Sequence, residues 1–407
     1  MRVQVPWLQR QRKRAPMMSD IKARDKAFVA DTYARFDVAI VSGIGSELYD
    51  ENDKRYIDMG SGIGVTAFGS ADIEWVNAVT SQLMRVQHTS NLYYTEPCTR
   101  LAELLCKKTG MAKVFFGNSG AEANECAIKI ARKYAAEKKG SDYFTVITLE
   151  NSFHGRTLTT LAATGQEHYH ELFQPLTPGF VHTPANDIEK LRETVKNTKA
   201  CAILIECIQG EGGVNVLDDA FVKEAACLAK ENDILLMVDE VQTGNGRTGE
   251  MYAYMHYGIT PDVVSTAKGL GGGLPIGACL MSEKVEKVLG HGDHGSTFGG
   301  NPVACAGAVS IVERIDEKLL AGVKAKSEYV FKTLENAKGI EKVVGKGLMI
   351  GIKTVRPASD IIKECNEKGV LCLTAKDKVR LLPALNIPME ILKEAVEVIK
   401  EVCGKEA

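Results

Sequence analysis

The chain has 407 residues, of which 45% are hydrophobic and 25% charged, and its formal net charge is −2. The length favours two domains, and the composition is that of an ordinary globular protein. The nearly balanced charge gives no electrostatic basis for binding nucleic acid or an anionic membrane, and no apolar run is long enough to span a bilayer.

The N-terminal segment and the cysteines bear on location. No acidic residue and several basic ones precede Pro16. Because this segment lacks serine and an amphipathic period, we interpret residues 1–17 as a leader or tag-like segment rather than a transit peptide. The 11 cysteines are scattered and form no C-x-x-C pair. This distribution predicts a cytoplasmic protein with reduced thiols, no disulfide framework and no zinc site.

Short apolar runs alternate with helical patterns between residues 113 and 282. Most runs are continuously apolar, which favours strands buried on both faces of a mainly parallel sheet. The predicted strands are residues 114–116, 144–149, 202–205, 234–238, 263–265 and 276–281. Helix-spaced apolar residues lie between them, for example at 123–134 and 221–229. The pattern predicts an α/β architecture.

The rest of the chain predicts a smaller α+β domain. A long helix is expected at about 301–338, then strands at 343–344, 348–352, 370–373 and 379–382, and a last helix after Pro388. We divide the chain into an N-terminal part of the small domain (18–68), a large domain (69–305) and a C-terminal part of the small domain (306–407).

Glycine-rich clusters follow the predicted strands, where open α/β sheets bind ligands. In GNSGA, a strand ends and a helix begins at Ser119, Gly120 and Ala121. The unpaired N–H groups of a helix start suit a phosphate group, although an ordinary helix cap is the alternative. In SFHGRT, Phe153 could stack on an aromatic ring, and Arg156 could hold a carboxylate through two hydrogen bonds.

Asp239 and Gln242 lie at the end of a buried strand. Burying an unpaired carboxylate is costly, so Asp239 needs a partner. A protonated pyridine nitrogen would be one, and Gln242 could then reach the phenolic oxygen of the same ring. Acids that cap the next turn are the alternative; a metal site is disfavoured because no histidine or third acid lies nearby in the sequence.

The glycines of GNGRTG, residues 244–249, match the G-x-G-x-x-G pattern of nicotinamide-cofactor sites. That fingerprint requires a helix that opens within the glycines. Because a turn-rich segment follows instead, at residues 251–259, we reject this interpretation.

Lys268 lies between a buried strand and a run of glycines. A lysine amine, with a pKa of about 10.4, is a poor nucleophile at neutral pH unless it is desolvated or covalently engaged. The glycines leave room for a planar ring against the backbone. An exposed loop lysine is the alternative interpretation.

Together these motifs resemble those of the class III aminotransferases, which are pyridoxal 5′-phosphate (PLP) enzymes of fold type I. The resemblance runs from about Ala39 to the C-terminus and rests on these segments in chain order: NSGAEANECAIK, SFHGRT, IECIQGEGGV, VDEVQTGNGRTG, STAKGLGGGLPIG, STFGGNP and VRLLPALNIP. Each is weak alone, but chance does not explain their order. The implied fold is a large, mainly parallel sheet domain with a smaller α+β domain from both chain ends.

The resemblance also implies the cofactor contacts. Lys268 would carry PLP covalently and move a proton between the substrate and the cofactor, while Asp239 would keep the pyridine nitrogen protonated. The other implied contacts are Phe153 and Val241 on the ring faces, Gln242 at the phenolic oxygen, Ser119, Gly120 and Ala121 at the phosphate, and Thr297 from a second subunit. A homodimer with shared active sites follows from the last contact.

The implied substrates are an amine donor and 2-oxoglutarate, whose carboxylates Arg156 and Arg380 would bind. Glu211 would pair with Arg380 while the amine donor is bound, and release it when 2-oxoglutarate brings a second carboxylate. Glu206 would help to place the reacting groups. Ile63 stands where the ornithine-specific members of the family carry a tyrosine.

Within the family, residues 88–94 and 296–302 most resemble the acetylornithine aminotransferase branch. This implies transfer of the δ-amino group of N2-acetylornithine in arginine biosynthesis. Other ω-amine donors stay open, namely 4-aminobutyrate, succinylornithine, succinyl-diaminopimelate and ornithine. A nicotinamide-dependent oxidoreductase and a non-catalytic binding protein are more distant alternatives.

Overall fold

A seven-stranded sheet forms the centre of the large domain in this computed structural model, which describes residues 21–405. The predicted leader, residues 1–17, lies outside the described residues. The helices between residues 21 and 281 are α1 (Ile21–Phe28), α2 (Ile73–Leu83), α3 (Glu96–Thr109), α4 (Gly120–Lys138), α5 (Leu158–Ala163), α6 (Ile188–Asn197) and α7 (Asp219–Glu231). The strands in the same range are β1 (Ile40–Ile44), β2 (Glu47–Asp50), β3 (Arg55–Asp58), β4 (Lys113–Gly117), β5 (Thr145–Leu149), β6 (Phe180–Thr183), β7 (Ala200–Ile205), β8 (Ile208–Gln209), β9 (Asn215–Val216), β10 (Leu235–Asp239), β11 (Val263–Thr266) and β12 (Gly277–Met281).

The strand order in the large sheet is β4-β12-β11-β10-β7-β5-β6. Only β12 runs antiparallel to its neighbours, so the predicted mainly parallel sheet is confirmed. All the strands predicted between residues 113 and 282 are present. A further strand, β6, was not predicted, because its sequence FVHT is only half-buried and includes His182.

Both faces of the sheet are covered, which explains the continuous apolar runs. Leu204, Met237 and Val263 pack with helix α4 on one face. Their chain neighbours Ile205 and Val238 pack on the other face with helix α7. Neighbouring residues of one strand therefore pack into two different cores, one on each face of the sheet, so every residue of the strand must be apolar.

The C-terminal part contains helices α8 (Pro302–Glu313), α9 (Glu317–Leu334), α10 (Ala358–Glu367) and α11 (Met389–Cys403), and strands β13 (Ile340–Lys346), β14 (Met349–Thr354), β15 (Val370–Leu371), β16 (Leu373–Ala375) and β17 (Lys378–Leu381). Strand β15 pairs with β3, so one small sheet has the order β1-β2-β3-β15, and a second has the order β13-β14-β17-β16. The small α+β domain from both chain ends is thus confirmed.

The single long helix predicted at 301–338 is wrong. The chain leaves helix α8 after Glu313 and starts helix α9 at Glu317, where the side chain of Asp316 accepts a hydrogen bond from the Leu319 N–H at 2.8 Å. An aspartate in this capping position satisfies a free N–H at a helix start and favours a break there. The predicted boundary between residues 305 and 306 falls inside α8, and the exact division of the chain stays a prediction.

Candidate active site

A cavity of about 450 Å³ opens at the carboxyl ends of strands β4, β5, β7, β10 and β11. Open α/β sheets bind ligands at this edge. The predicted site residues that line the cavity are Ser119, Gly120, Ala121, Phe153, Arg156, Glu206, Glu211, Asp239, Val241, Gln242 and Lys268. Arg380 joins this set through a contact with Glu211. The fold therefore brings together residues as far apart in the sequence as Ser119 and Arg380.

The turn between β4 and α4 forms one wall. Ser119 caps the helix, and its hydroxyl accepts the Glu122 N–H at 3.2 Å. The Glu122 carboxylate in turn accepts the Asn118 backbone N–H at 2.5 Å. A side chain at position 120 would place its Cβ 2.7 Å from both Val241 methyl groups, so only glycine fits there. The helix start is therefore held with its free N–H groups at the cavity, as a phosphate site requires.

Asp239 is an almost fully buried acid of the cavity, with a 4% exposed side chain. Its Oδ2 atom accepts the Asn124 amide at 2.7 Å and lies 2.8 Å from His154 Nδ1, and its Oδ1 accepts the Val241 N–H at 3.0 Å. Asn124 is itself fixed by Ser265, whose hydroxyl donates to it at 2.5 Å. This network fixes the carboxylate rigidly at the end of β10.

Lys268 follows strand β11 with its backbone in the left-handed region, at a φ of 45°. A residue other than glycine is strained there, and such strain is typical of functional sites. Burial lowers the pKa of the Lys268 amine, and the nearby Arg380 lowers it further, while Glu211, Asp239 and Glu206 oppose the shift. A larger neutral fraction makes this amine a better nucleophile and base than an exposed lysine.

The GNGRTG turn, residues 244–249, is hydrogen-bonded to the segment just before Lys268. The amide of Asn245 donates to Thr266 Oγ1 at 2.9 Å and to the Ala267 carbonyl at 3.3 Å. No helix opens at these glycines; a 3-10 helix follows at Ala253–Tyr257. The glycine pattern therefore has a structural role next to Lys268, in agreement with our rejection of a dinucleotide site.

Glu211 and Arg380 form an ion pair at one side of the cavity. Arg380 Nη1 donates to Glu211 Oε1 at 2.6 Å, and Nη2 donates to Oε2 at 3.4 Å. Gln242 lies between them, because its amide donates to Glu211 at 3.2 Å and its oxygen accepts from Arg380 at 3.1 Å. Burial raises the pKa of Glu211, but the Arg380 guanidinium outweighs this effect and leaves it below the ordinary value. The glutamate is therefore charged and neutralises Arg380.

Glu206 is buried on the cavity wall, where its Oε2 accepts the Phe153 N–H at 2.9 Å. Burial raises its pKa well above the ordinary value, and the Asp239 charge raises it further. Burial and the Asp239 charge therefore favour the protonated form of Glu206, which can donate a hydrogen bond.

Arg156 has no hydrogen bond or ion pair with any described residue. Its guanidinium lies 6.0 Å from the centre of the Phe153 ring and reaches the cavity. The two arginines thus differ: Arg380 is neutralised by a glutamate, whereas Arg156 is paired with no carboxylate among the described residues.

Besides Arg380, which joins the cavity only through Glu211, two predicted site residues do not line the cavity of the single chain. Ile63 lies on a short left-handed turn, Ser61–Gly64, and its side chain is 42% exposed. Its neighbour Val65 reaches the cavity instead. Thr297 is exposed on the loop before helix α8. The roles of both stay predictions.

Asn124, Asn245 and His154 were assigned no role from the sequence. All three are polar and almost fully buried. Asn124 could have been found, since it lies one helical turn after Gly120 on a helix whose neighbouring positions are apolar. For Asn245 and His154 the sequence carried no signal, because their partners lie on other elements.

The chain belongs to the class III aminotransferases, because the family model described as Aminotransferase class-III matches residues 28–403. Curated relatives agree over almost their whole length. The acetylornithine aminotransferase of Haemophilus ducreyi is 48% identical over 392 residues, which cover 96% of this chain and 100% of that protein. The acetylornithine aminotransferase of Methanocaldococcus jannaschii is 44% identical over 384 residues, with coverages of 93% and 96%.

Solved structures show the same fold. The ornithine aminotransferase of Toxoplasma gondii, described with partial occupancy of PLP at its active site, superposes with a TM-score of 0.91 at 31% identity, covering 99% of this chain and 98% of that one. The N-acetylornithine aminotransferase of Stenotrophomonas maltophilia gives 0.80 at 33% identity, with coverages of 91% and 96%. The predicted fold type I, PLP dependence and aminotransferase class are thus confirmed, and no comparison supports an oxidoreductase.

The residues present fit this cofactor. The helix start at Gly120 offers N–H groups for a phosphate, the fixed carboxylate of Asp239 faces the same cavity, and the amine of Lys268 lines it. A phosphorylated pyridine aldehyde carries complementary groups: a phosphate, a basic ring nitrogen and a carbonyl that an amine can attack. In the part of the chain that the structure describes, no helix is long and apolar enough to cross a membrane.

Proposed function

We propose that this aminotransferase moves the δ-amino group of N2-acetylornithine to 2-oxoglutarate, giving N-acetylglutamate 5-semialdehyde and glutamate in arginine biosynthesis. The observation that carries the proposal is the contrast between the two arginines. Arg156 is free to bind the one carboxylate of an ω-amine donor, while Glu211 covers Arg380. The names of the curated relatives support the same donor.

The chain's own groups have distinct roles in this proposal. PLP, when bound, withdraws electrons from the substrate carbon and makes its proton acidic. Lys268 holds the cofactor, then takes the proton from the substrate carbon and returns it, for which its lowered pKa suits it. Asp239 keeps the pyridine nitrogen protonated. Glu206, whose raised pKa favours the protonated form, orients the reacting groups by hydrogen bonding.

The remaining cavity residues bind and orient the cofactor. Ser119, Gly120 and Ala121 hold the phosphate at the start of helix α4. Phe153 and Val241, both of which line the cavity, would pack on the two faces of the ring. Gln242 reaches the phenolic oxygen and also joins the Glu211–Arg380 pair, so it links the cofactor to the group that selects the substrate.

A panel of donors tests the assigned substrate. With 2-oxoglutarate as acceptor, we expect kcat/KM for N2-acetylornithine to exceed that for 4-aminobutyrate, ornithine, succinylornithine and succinyl-diaminopimelate by about tenfold or more. Steady-state assays on the PLP-loaded protein measure this. A larger value for any other donor contradicts the assignment but leaves the enzyme class intact.

Replacement of Glu211 by glutamine tests the switch. The amide keeps the size of the side chain but no longer neutralises Arg380, so Arg380 stays open to a second carboxylate. We expect the ratio of kcat/KM for glutamate over that for N2-acetylornithine to rise about tenfold. The matched control is Glu150→Gln, an exposed acid outside the cavity, which should leave the ratio unchanged. An unchanged ratio in Glu211→Gln is incompatible with the switch.

The active form in this proposal is a homodimer in which Thr297 contacts the phosphate of the other subunit. Residues near this loop leave large apolar surfaces exposed: Leu92 is 87%, Tyr94 99% and Phe298 60% exposed. Asn91 donates to the Ser296 carbonyl at 3.0 Å, so the two segments that carry these residues are adjacent. An exposed apolar patch of this kind is typical of a protein–protein interface. A second copy of the chain would cover it and bring Thr297 to the neighbouring site.

The proposed location is the cytoplasm. All eleven cysteines lie among the described residues, and none forms a disulfide. Most are buried in the cores around the sheets. Thiols in this state are typical of a reducing compartment.

A further inference from the structure

Two aromatic rings surround the guanidinium of Arg156. It lies 5.8 Å from the centre of the Tyr169 ring and 6.0 Å from that of Phe153. The two rings meet edge to face, 5.7 Å apart at 66°. A guanidinium is attracted to aromatic faces at these distances. Unlike a carboxylate, the rings attract the cation without neutralising it, so the charge of Arg156 stays available.

Tyr169 is itself rigidly placed. It ends the short 3-10 helix Glu167–Tyr169, and buried side chains anchor the chain on either side of it. Before it, the Gln166 amide donates to the Ser152 carbonyl at 3.0 Å; after it, His170 Nε2 lies 2.9 Å from the Leu161 carbonyl. The His168 ring packs on Tyr169 with centres 4.0 Å apart. The tyrosine ring therefore has little freedom to leave Arg156.

We propose that Tyr169 is a positioning residue that, with Phe153, holds the Arg156 guanidinium unpaired and aimed at the cavity, and so sets the affinity for the substrate carboxylate. The inference rests on the proposed function, in which Arg156 binds that carboxylate. Phe153 lines the cavity and would also pack on the cofactor ring, whereas Tyr169 lies outside the lining. Tyr169 is therefore the position at which support of the arginine can be removed while every residue that lines the cavity stays unchanged.

The test compares Tyr169→Leu with Tyr169→Phe in the PLP-loaded enzyme, by stopped-flow half-reactions. Leucine removes the aromatic face, and we expect the dissociation constant for N2-acetylornithine to rise roughly two- to fivefold with the saturating rate little changed. Phenylalanine keeps the face and should behave like the unmodified enzyme. The diamine 1,4-diaminobutane has no carboxylate, so its half-reaction should be equally fast in all three proteins.

Arg156→Ala separates failure of this inference from failure of the proposed function. If it leaves the dissociation constant for N2-acetylornithine unchanged, Arg156 does not bind the carboxylate, and the proposed function fails. If it raises the constant while Tyr169→Leu does not, only the role of Tyr169 is overturned. The role is also overturned if Tyr169→Leu slows the diamine to the same extent, because the effect then does not act through the carboxylate.

Discussion

Replacement of Lys268 by alanine is expected to slow the half-reaction with N2-acetylornithine by about a thousandfold or more. Among the described residues, Lys268 is the only lysine that lines the cavity, and its amine has no hydrogen-bond partner there. No neighbouring amine can therefore hold the cofactor or move the proton in its place. Stopped-flow spectroscopy of the PLP-supplemented variant measures the rate.

Borohydride reduction and a matched lysine complete this experiment. The unmodified protein should keep the cofactor attached to the chain after borohydride reduction and denaturation, and Lys268→Ala should release it, because reduction makes the link to the Lys268 amine permanent and the variant has no amine to link. Lys326→Ala is the control. Burial also lowers the pKa of Lys326, whose amine donates to the Leu385 carbonyl at 2.9 Å. Lys326 does not line the cavity. A half-reaction in Lys268→Ala within tenfold of the unmodified rate would disprove the assignment.

Replacement of Asp239 by asparagine is expected to lower kcat about a hundredfold or more. The amide fits the same space and keeps one oxygen for the Asn124 amide, but it has no charge to hold a proton on the pyridine nitrogen. Without that proton the ring withdraws electrons poorly, so the substrate proton is harder to remove. Steady-state assays and the visible spectrum of the bound cofactor report the two effects.

Asp262→Asn is the matched control for this change. Asp262 lies at the other end of strand β10, where its Oδ2 accepts the Leu236 N–H at 2.9 Å, and it does not line the cavity. It is a partly buried acid that contacts the same strand as Asp239 but lies outside the site. We expect the folded Asp262→Asn protein to keep its kcat. Equal losses in both variants would mean that Asp239 serves the fold rather than the cofactor.

Much of the fold was predictable because burial on two faces leaves a strong sequence signal. Strands β7 and β10 have every residue buried, and their apolar runs were found almost to the residue. Strand β6 lies at the sheet edge, and its mixture of exposed and buried residues carries no clear pattern. The break before helix α9 depends on one capping aspartate, a local signal that the flanking helical periodicity obscures.

The candidate site was predictable in part for a different reason. Ser119, Asp239 and Lys268 occur at strand ends within motifs, so position and residue type both point to a ligand. The ring of Tyr169 beside Arg156 depends on a loop conformation, which no spacing in the sequence encodes. Thr297 cannot be placed from one chain, because the site it is predicted to serve belongs to a second subunit.

The left-handed backbone at Lys268 has a consequence for how the chain evolves. At this position glycine would relieve the steric conflict between the side chain and the backbone, but glycine has no side-chain amine to hold the cofactor. Selection for the most robust fold and selection for turnover thus act in opposite directions on a single codon. Descendants of this chain that lost the reaction but kept the architecture would be free to drop the lysine there first.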